Sequence, residues 1–173
     1  MKIVASWDDG CALDLRMAEL MKKYSIPATF YVPYSLHKSK NVGRVKSFLT
    51  MKQCVELSRE FEIGSHTVSH NYLTKINIQQ ARNEIFDSKK LWQDALGKDV
   101  PKFCYPRGYA NTIVKMLVKN AGYTHARSTQ VGALDEGADP LFVPTTVHVG
   151  VDRVQYENKS WELFAREMFE KSA

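Results

Sequence analysis

The chain has 173 residues, 44 % hydrophobic and 25 % charged, the size and balance of one globular domain; collagen-like, disordered and coiled-coil organisations are excluded. Its formal charge of +5 comes from 24 basic and 19 acidic side chains, with the lysines dispersed (Lys22–Lys23, Lys38 and Lys40, Lys89–Lys90), so no nucleic-acid or membrane-surface patch is expected. The cysteines Cys11, Cys54 and Cys104 form no Cys-x-x-Cys pair, no apolar run nears the ~20 residues of a membrane span, and the first residues carry no leader pattern; a reducing, cytoplasmic setting is expected.

Along the chain, Ile3 to Trp7 reads as a strand. Leu13, Met17, Leu20, Met21 and Tyr24 recur at helical spacing and predict a helix with these residues as its apolar face, ended by Pro27. Ala28 to Val32 is β-branched and aromatic, a second strand. Residues 34–49 read as a polar loop. Thr50 and Gln53 form a capping box before a helix through Val55 and Leu57. Phe61 to Gly64 is a short strand. Asn77 caps a long helix through Ile78, Ala81, Ile85, Trp92 and Ala95, stopped by Gly97. Lys102 to Tyr105 is a strand, and Asn111 caps a helix that stops at Gly122. Tyr123 to Arg127 follows as a strand. Beyond an acidic, glycine-containing loop over 132–139, Phe142 to Val149 reads as a further strand, and Ser160 opens a last helix.

About six alternations of strand and helix predict an α/β fold with a parallel sheet, either open and doubly wound or closed as a (β/α) barrel. Neither nucleotide-binding fingerprint, Gly-x-Gly-x-x-Gly nor Gly-Lys-Ser/Thr, is present. In both architectures chemistry gathers at the C-terminal ends of strands. Three polar segments lie at those ends.

Asp8-Asp9-Gly10 follows the first strand. Successive extended residues point to opposite faces, so one carboxylate can meet a metal while the other stays free as a base; alone, the segment also reads as a polar turn. Ser65 to His70 follows the third strand. His66 and His70 are four apart, and on a helix both would share one face and one metal. Thr67 stands where the zincin pattern His-Glu-x-x-His has its base, so a base must come from elsewhere. Phe103 to Asn111 follows the fourth strand; Pro106 and Gly108 set a tight turn whose N–H groups can face an anion or a developing oxyanion.

Taken together, Ser-Trp-Asp-Asp-Gly (6–10), His-Thr-Val-Ser-His (66–70) and Tyr-Pro-Arg-Gly-Tyr (105–109) resemble, in order and spacing, the first three motifs of the polysaccharide deacetylase (NodB-homology) family of carbohydrate esterases. Ala28 to Val32 and Glu62 to His66 fit as well, and the resemblance covers about residues 3–128. It implies a distorted (β/α) barrel of six to seven strands in a single domain over residues 1–173, shortened at its C-terminus. Asp9, His66 and His70 would bind a divalent metal, usually zinc. Asp8 would be the catalytic base, and the Arg107 N–H would line the oxyanion hole. The arginine that usually opens the third motif and orients the base is replaced by Cys104. The fourth and fifth motifs are not recognisable; Arg127 is the nearest polar residue for the fourth, and His148 the candidate catalytic acid. Tyr105, Pro106, Tyr109 and Arg127 would contact substrate.

The implied activity is hydrolysis of non-peptide C–N bonds, removing N-acetyl groups from a sugar polymer or oligosaccharide. Two alternatives stay open: a cyclic amide or imidate hydrolase on the same fold, and a carbohydrate- or partner-binding domain that has lost its acid.

Overall fold

The structure is a computed structural model that describes residues 3–35, 47–134, 139–149 and 160–171; the expected loops at 34–49 and 132–139 lie partly outside these ranges. Within the described residues, six strands form one sheet: β1 (Ala5–Asp8), β2 (Ala28–Val32), β3 (Glu62–Ser65), β4 (Lys102–Cys104), β5 (His125–Val131) and β6 (Val143–Thr145). All neighbouring pairs are parallel, and the spatial order is the order in sequence. A doubly wound sheet reverses direction at a switch point. This one never does, so each strand adds to the same growing edge and the sheet curls toward a barrel. Asp8 on β1 reaches Arg127 on β5 across the inside of that curl, contact that a flat sheet would forbid.

The helices are α1 (Asp14–Lys23), α2 (Met51–Leu57), α3 (Ile78–Leu96), α4 (Thr112–Asn120) and α5 (Trp161–Lys171). The starts of α2, α3 and α4 are set by side-chain caps. Thr50 and Asn77 each complete a capping box, with Gln53 and Gln80, and Asn111 accepts the Val114 N–H. Gly97 ends α3 in the left-handed conformation that glycine adopts without penalty. The longest helix, α3, spans both halves of the core. Trp92 is fully buried in one half and donates its indole N–H to the Val32 carbonyl at 2.9 Å; Ile85 is buried in the other, beside Phe103 and Tyr105.

Helix α1 departs from the expected face. Leu13, Leu20 and Tyr24 are exposed, whereas Asp14 and Ala18 are buried and Leu15, Met17 and Met21 pack on the core. Periodicity locates the helix, but a carboxyl, Asp14, opens its inner face, which hydrophobic counting cannot anticipate. The last strand is also shorter than expected. It closes at Thr145 instead of Val149 and contains Pro144, which lacks a ladder donor.

Candidate active site

The site lies at the C-terminal ends of β1, β3 and β4, and Arg127 reaches it from within β5, which runs over His125–Val131 instead of ending at Arg127 as expected. Four of the five described non-glycine residues with positive φ lie in its three loops: Asp9 (71°), Thr67 (69°), His70 (58°) and Arg107 (60°). Such conformations cost of order 1–3 kcal/mol each and persist where the surroundings fix them. Here they turn three chain segments inward at once.

Asp8 is the last residue of β1, and Asp9 begins the turn that Gly10 continues with φ of 62°. A Cβ on Gly10 would lie 2.7 Å from a Val32 methyl, so the turn needs glycine for both its backbone and its space. The adjacent carboxylates diverge as expected. Asp9 Oδ1 faces His70 Nε2 at 3.1 Å and His66 Nε2 at 3.5 Å, while Asp8 Oδ1 pairs with the Arg127 guanidinium.

The histidines meet by a different route from the one their spacing suggests. Residues 66–70 form no helix. A turn through Thr67 and His70 folds the segment back, His70 N–H donating to Thr67 Oγ1 at 2.9 Å, and the imidazole centroids end 4.8 Å apart. His66 is buried and its Nδ1 lies 2.6 Å from the Cys104 carbonyl, which directs Nε2 at Asp9. Two anchors hold the loop. Ser35 contributes its N–H and its hydroxyl to the Val68 carbonyl, and Glu84 on α3 accepts the N–H groups of Val68 and Ser69.

The donor chemistry fits a divalent cation. Asp9, His66 and His70 each offer one ligand atom, all within 4.8 Å of one another. Asp9 Oδ1 is buried with no hydrogen-bond partner of adequate geometry. Burial opposes ionisation of Asp9, but His66 and His70 outweigh it and hold the carboxyl well below its usual range. Burial likewise opposes a charge on His66; Cys104, Asp9 and Asp8 overcome it and raise the imidazole well above its ordinary value. The field that draws a proton onto this cluster is one that draws a cation.

Arg127 is buried, with a side chain 9 % exposed against 25 % for Asp8. Besides Asp8, its guanidinium contacts the Cys104 thiol (3.2 Å), the Thr145 hydroxyl (3.3 Å) and the Ser128 carbonyl (3.3 Å), and it lies 5.4 Å from the centroid of the Tyr31 ring.

The 106–108 turn is a single turn of 3-10 helix with Arg107 left-handed inside it. The Gly108 N–H donates to Tyr105, and Thr129 Oγ1 donates to the Arg107 carbonyl. Two residues expected at the substrate are core residues instead. Tyr105 is fully buried, its hydroxyl donating to the Leu141 carbonyl at 2.7 Å, and Pro106 is buried beside it. A strand residue followed by proline points inward here because the chain turns only at Arg107. Tyr109 is exposed and stacks on Tyr72 with centroids 6.1 Å apart, and the Arg107 guanidinium lies over Tyr72 at 5.6 Å. His148 lies three residues beyond β6 in irregular chain, half-buried, and belongs to neither metal-capable group among the described residues, Asp9 with His66 and His70 or Asp8 with His66 and Cys104.

Sequence reasoning missed Glu84, Tyr72 and Asp14. Each acts through contacts distant in sequence, and only Glu84, a carboxylate on the α3 face one turn after Gln80, left a trace in the pattern.

A curled parallel sheet carrying an Asp/His/His donor set and a second carboxylate at its strand ends defines a (β/α)-barrel protein with a metal-capable site. The family model for polysaccharide deacetylases matches residues 1–126, and the chain belongs to that family. A peptidoglycan-N-acetylglucosamine deacetylase of Bacillus cereus is 30 % identical over 125 residues, covering 70 % of this chain and 54 % of that protein. Among solved structures, the Streptococcus pyogenes deacetylase PplD in complex with acetate superposes with a TM-score of 0.76 at 22 % identity, over 94 % of this chain and 68 % of that one. IcaB from Ammonifex degensii does so with a TM-score of 0.78 at 17 % identity, over 95 % and 72 %. These structures share the fold. The chain spans about half the length of the curated relatives it matches, 46 % and 54 %.

Proposed function

We propose that the chain is a metal-dependent hydrolase that removes N-acetyl groups from an N-acetylated sugar polymer or oligosaccharide. The observation that carries this reading is the division of labour at the end of β1: Asp9 turned to His66 and His70, Asp8 turned away to Arg127. The names of the relatives support the substrate class, one acting on N-acetylglucosamine in peptidoglycan and one bound to acetate, the product such a reaction would give.

Asp9, His66 and His70 would hold the cation, zinc in this reading. Bound there, it would polarise the amide carbonyl and acidify a water molecule. Asp8 would take the proton of the attacking water, because its carboxylate lies beside the donor set and pairs with Arg127 and with neither imidazole. The N–H of Arg107, carried by the left-handed turn, would donate to the oxyanion. Collapse of the tetrahedral adduct breaks the C–N bond and gives acetate and an amine. The amine must be protonated as it leaves, since an amide ion is too poor a leaving group; His148 is the proposed donor. Tyr109 and Tyr72 offer aromatic surface at the rim for the faces of a sugar ring.

Chelated protein reloaded with zinc or cobalt is assayed for acetate release from N-acetylglucosamine oligomers. Metal-dependent release is expected. Binding of the oligomers without release favours the non-catalytic carbohydrate-binding reading, and turnover of a cyclic amide alone favours the other enzyme.

A further inference from the structure

We propose that Arg127 is a positioning residue for the catalytic carboxylate, holding Asp8 across the interior of the curled sheet, and makes no contact with substrate. The inference rests on Asp8 being the base.

The geometry leaves the guanidinium little else to do. Asp8 and Arg127 are 119 residues apart and lie on β1 and β5, strands that are not neighbours in the sheet. Only the curl brings them together. The guanidinium is surrounded by one side chain from each of four other strands: Asp8 (β1), Tyr31 (β2), Cys104 (β4) and Thr145 (β6). With its own β5, five of the six strands meet at this one group. Nη1 and Nη2 are both engaged, and Nε is buried without a partner. The side chain is 9 % exposed, so little of it is open to a substrate.

What the pair does for Asp8 follows from which atoms it uses. Arg127 binds Oδ1 and thereby fixes the plane of the carboxylate. The side chain keeps 25 % exposure, so the second oxygen remains available to a water proton. A carboxylate at a strand end can otherwise rotate about two torsions, and a base that must be aligned within hydrogen-bond reach loses rate when it does. Cys104 makes the arrangement possible. It is the register partner of Arg127 on β4, and its compact thiol leaves the volume that the guanidinium fills, at 3.2 Å from Sγ. Two adjacent strands face the same interior point at that level, and one of them supplies the cation while the other makes room for it.

The zinc-loaded protein, Arg127→Ala and Arg127→Lys are compared on N-acetylglucosamine oligomers. For Arg127→Ala we expect kcat to fall by about 10²-fold, the order of a misaligned base, with KM changed less than about threefold and zinc stoichiometry intact. Arg127→Lys, or guanidinium ion added at millimolar concentration to Arg127→Ala, should restore about tenfold of the loss, as refilling a positioning cavity would. A raised KM with kcat kept would overturn the proposal and make Arg127 a substrate contact. A slow enzyme that neither lysine nor guanidinium improves would also overturn it, leaving only a packing role. Thermal unfolding of Asp8→Ala, Arg127→Ala and the double variant reads the pairing without any activity. The double variant should melt no lower than Arg127→Ala alone, because Asp8→Ala strands a buried guanidinium that Arg127→Ala removes. Additive losses would refute the pair. If the wild type itself released no acetate, the functional reading would fail while this cycle still decided the pairing.

Discussion

Glu84 accepts the backbone N–H of Ser69 at 2.8 Å from the second turn of α3, 15 residues further along the chain. The same oxygen takes the Val68 N–H at 2.9 Å, and the other oxygen takes the Asn71 amide at 3.1 Å. One carboxylate therefore grips this loop at three points, two between His66 and His70 and one just beyond His70. Zinc affinity of Glu84→Ala, measured by titration calorimetry, should fall about 10- to 100-fold, the usual effect of losing a group that orients ligands, with the melting transition still cooperative. Glu84→Gln, which keeps an acceptor, should lose less. Equal affinity in all three proteins would show that the loop holds its shape unaided.

Asp14 should make the metal-free protein less stable as pH rises. It is 4 % exposed, its Oδ2 has no partner, and burial, reinforced by Asp8 and Asp9, pushes its carboxyl up to about 7. The unfolded chain releases this proton near 3.8. A raised folded value means that the stabilising contribution is complete below the unfolded value and is lost as pH rises to about 7. Over that window it declines by about 1.4 kcal/mol per pH unit and is then constant. Asp14→Asn lacks the titration. In chelated protein, the melting temperature of the variant should therefore gain on wild type between pH 4 and 7, with no further gain above. A difference that stays flat with pH would place the charge elsewhere.

Local chemistry wrote the elements into the sequence, and long-range contacts wrote most of the site. Thr50, Asn77, Asn111 and Gly97 mark helix ends by bonds to residues within one turn, so they were legible. The aromatic and β-branched run at 28–32 is a strand because the sheet buries both its faces. The inner face of α1 departs from its hydrophobic pattern because Asp14 sits where an apolar residue is the rule. His66 and His70 were recognised by spacing, yet a left-handed turn and not a helix joins them. Tyr105 and Pro106 belong to a motif but face the core. No pattern within one segment could show that Arg127 meets Asp8, since the curl of the whole sheet decides it.

Gly108→Ala tests the third loop. Glycine is required there twice over: φ is +75°, and a Cβ would lie 2.0 Å from Thr129 Oγ1. The strained backbone alone costs about 1–3 kcal/mol, which should lower the melting temperature by roughly 3–10 °C. Because the turn carries Arg107 and no metal donor, acetate release should fall while zinc stoichiometry is kept. Unchanged kinetics would remove the turn from the oxyanion side.

His148 is tested by its choice of leaving group. His148→Ala should abolish acetate release from N-acetylglucosamine oligomers and spare hydrolysis of p-nitrophenyl acetate, whose phenolate departs without a proton. If amide and ester hydrolysis fall together, His148 supports the fold or the substrate and the donor is another group.

The metal content of purified zinc-reconstituted variants bears most directly on the division of labour between the two adjacent carboxylates. Elemental analysis after dialysis should find one zinc per chain in the wild type and in Asp8→Asn, which keeps an oxygen for Arg127. His66→Ala, His70→Ala and Asp9→Ala should each retain far less. Full zinc content in both histidine variants, or loss of zinc from Asp8→Asn, would contradict the assignment of Asp9, His66 and His70 as ligands and of Asp8 as the base beside them.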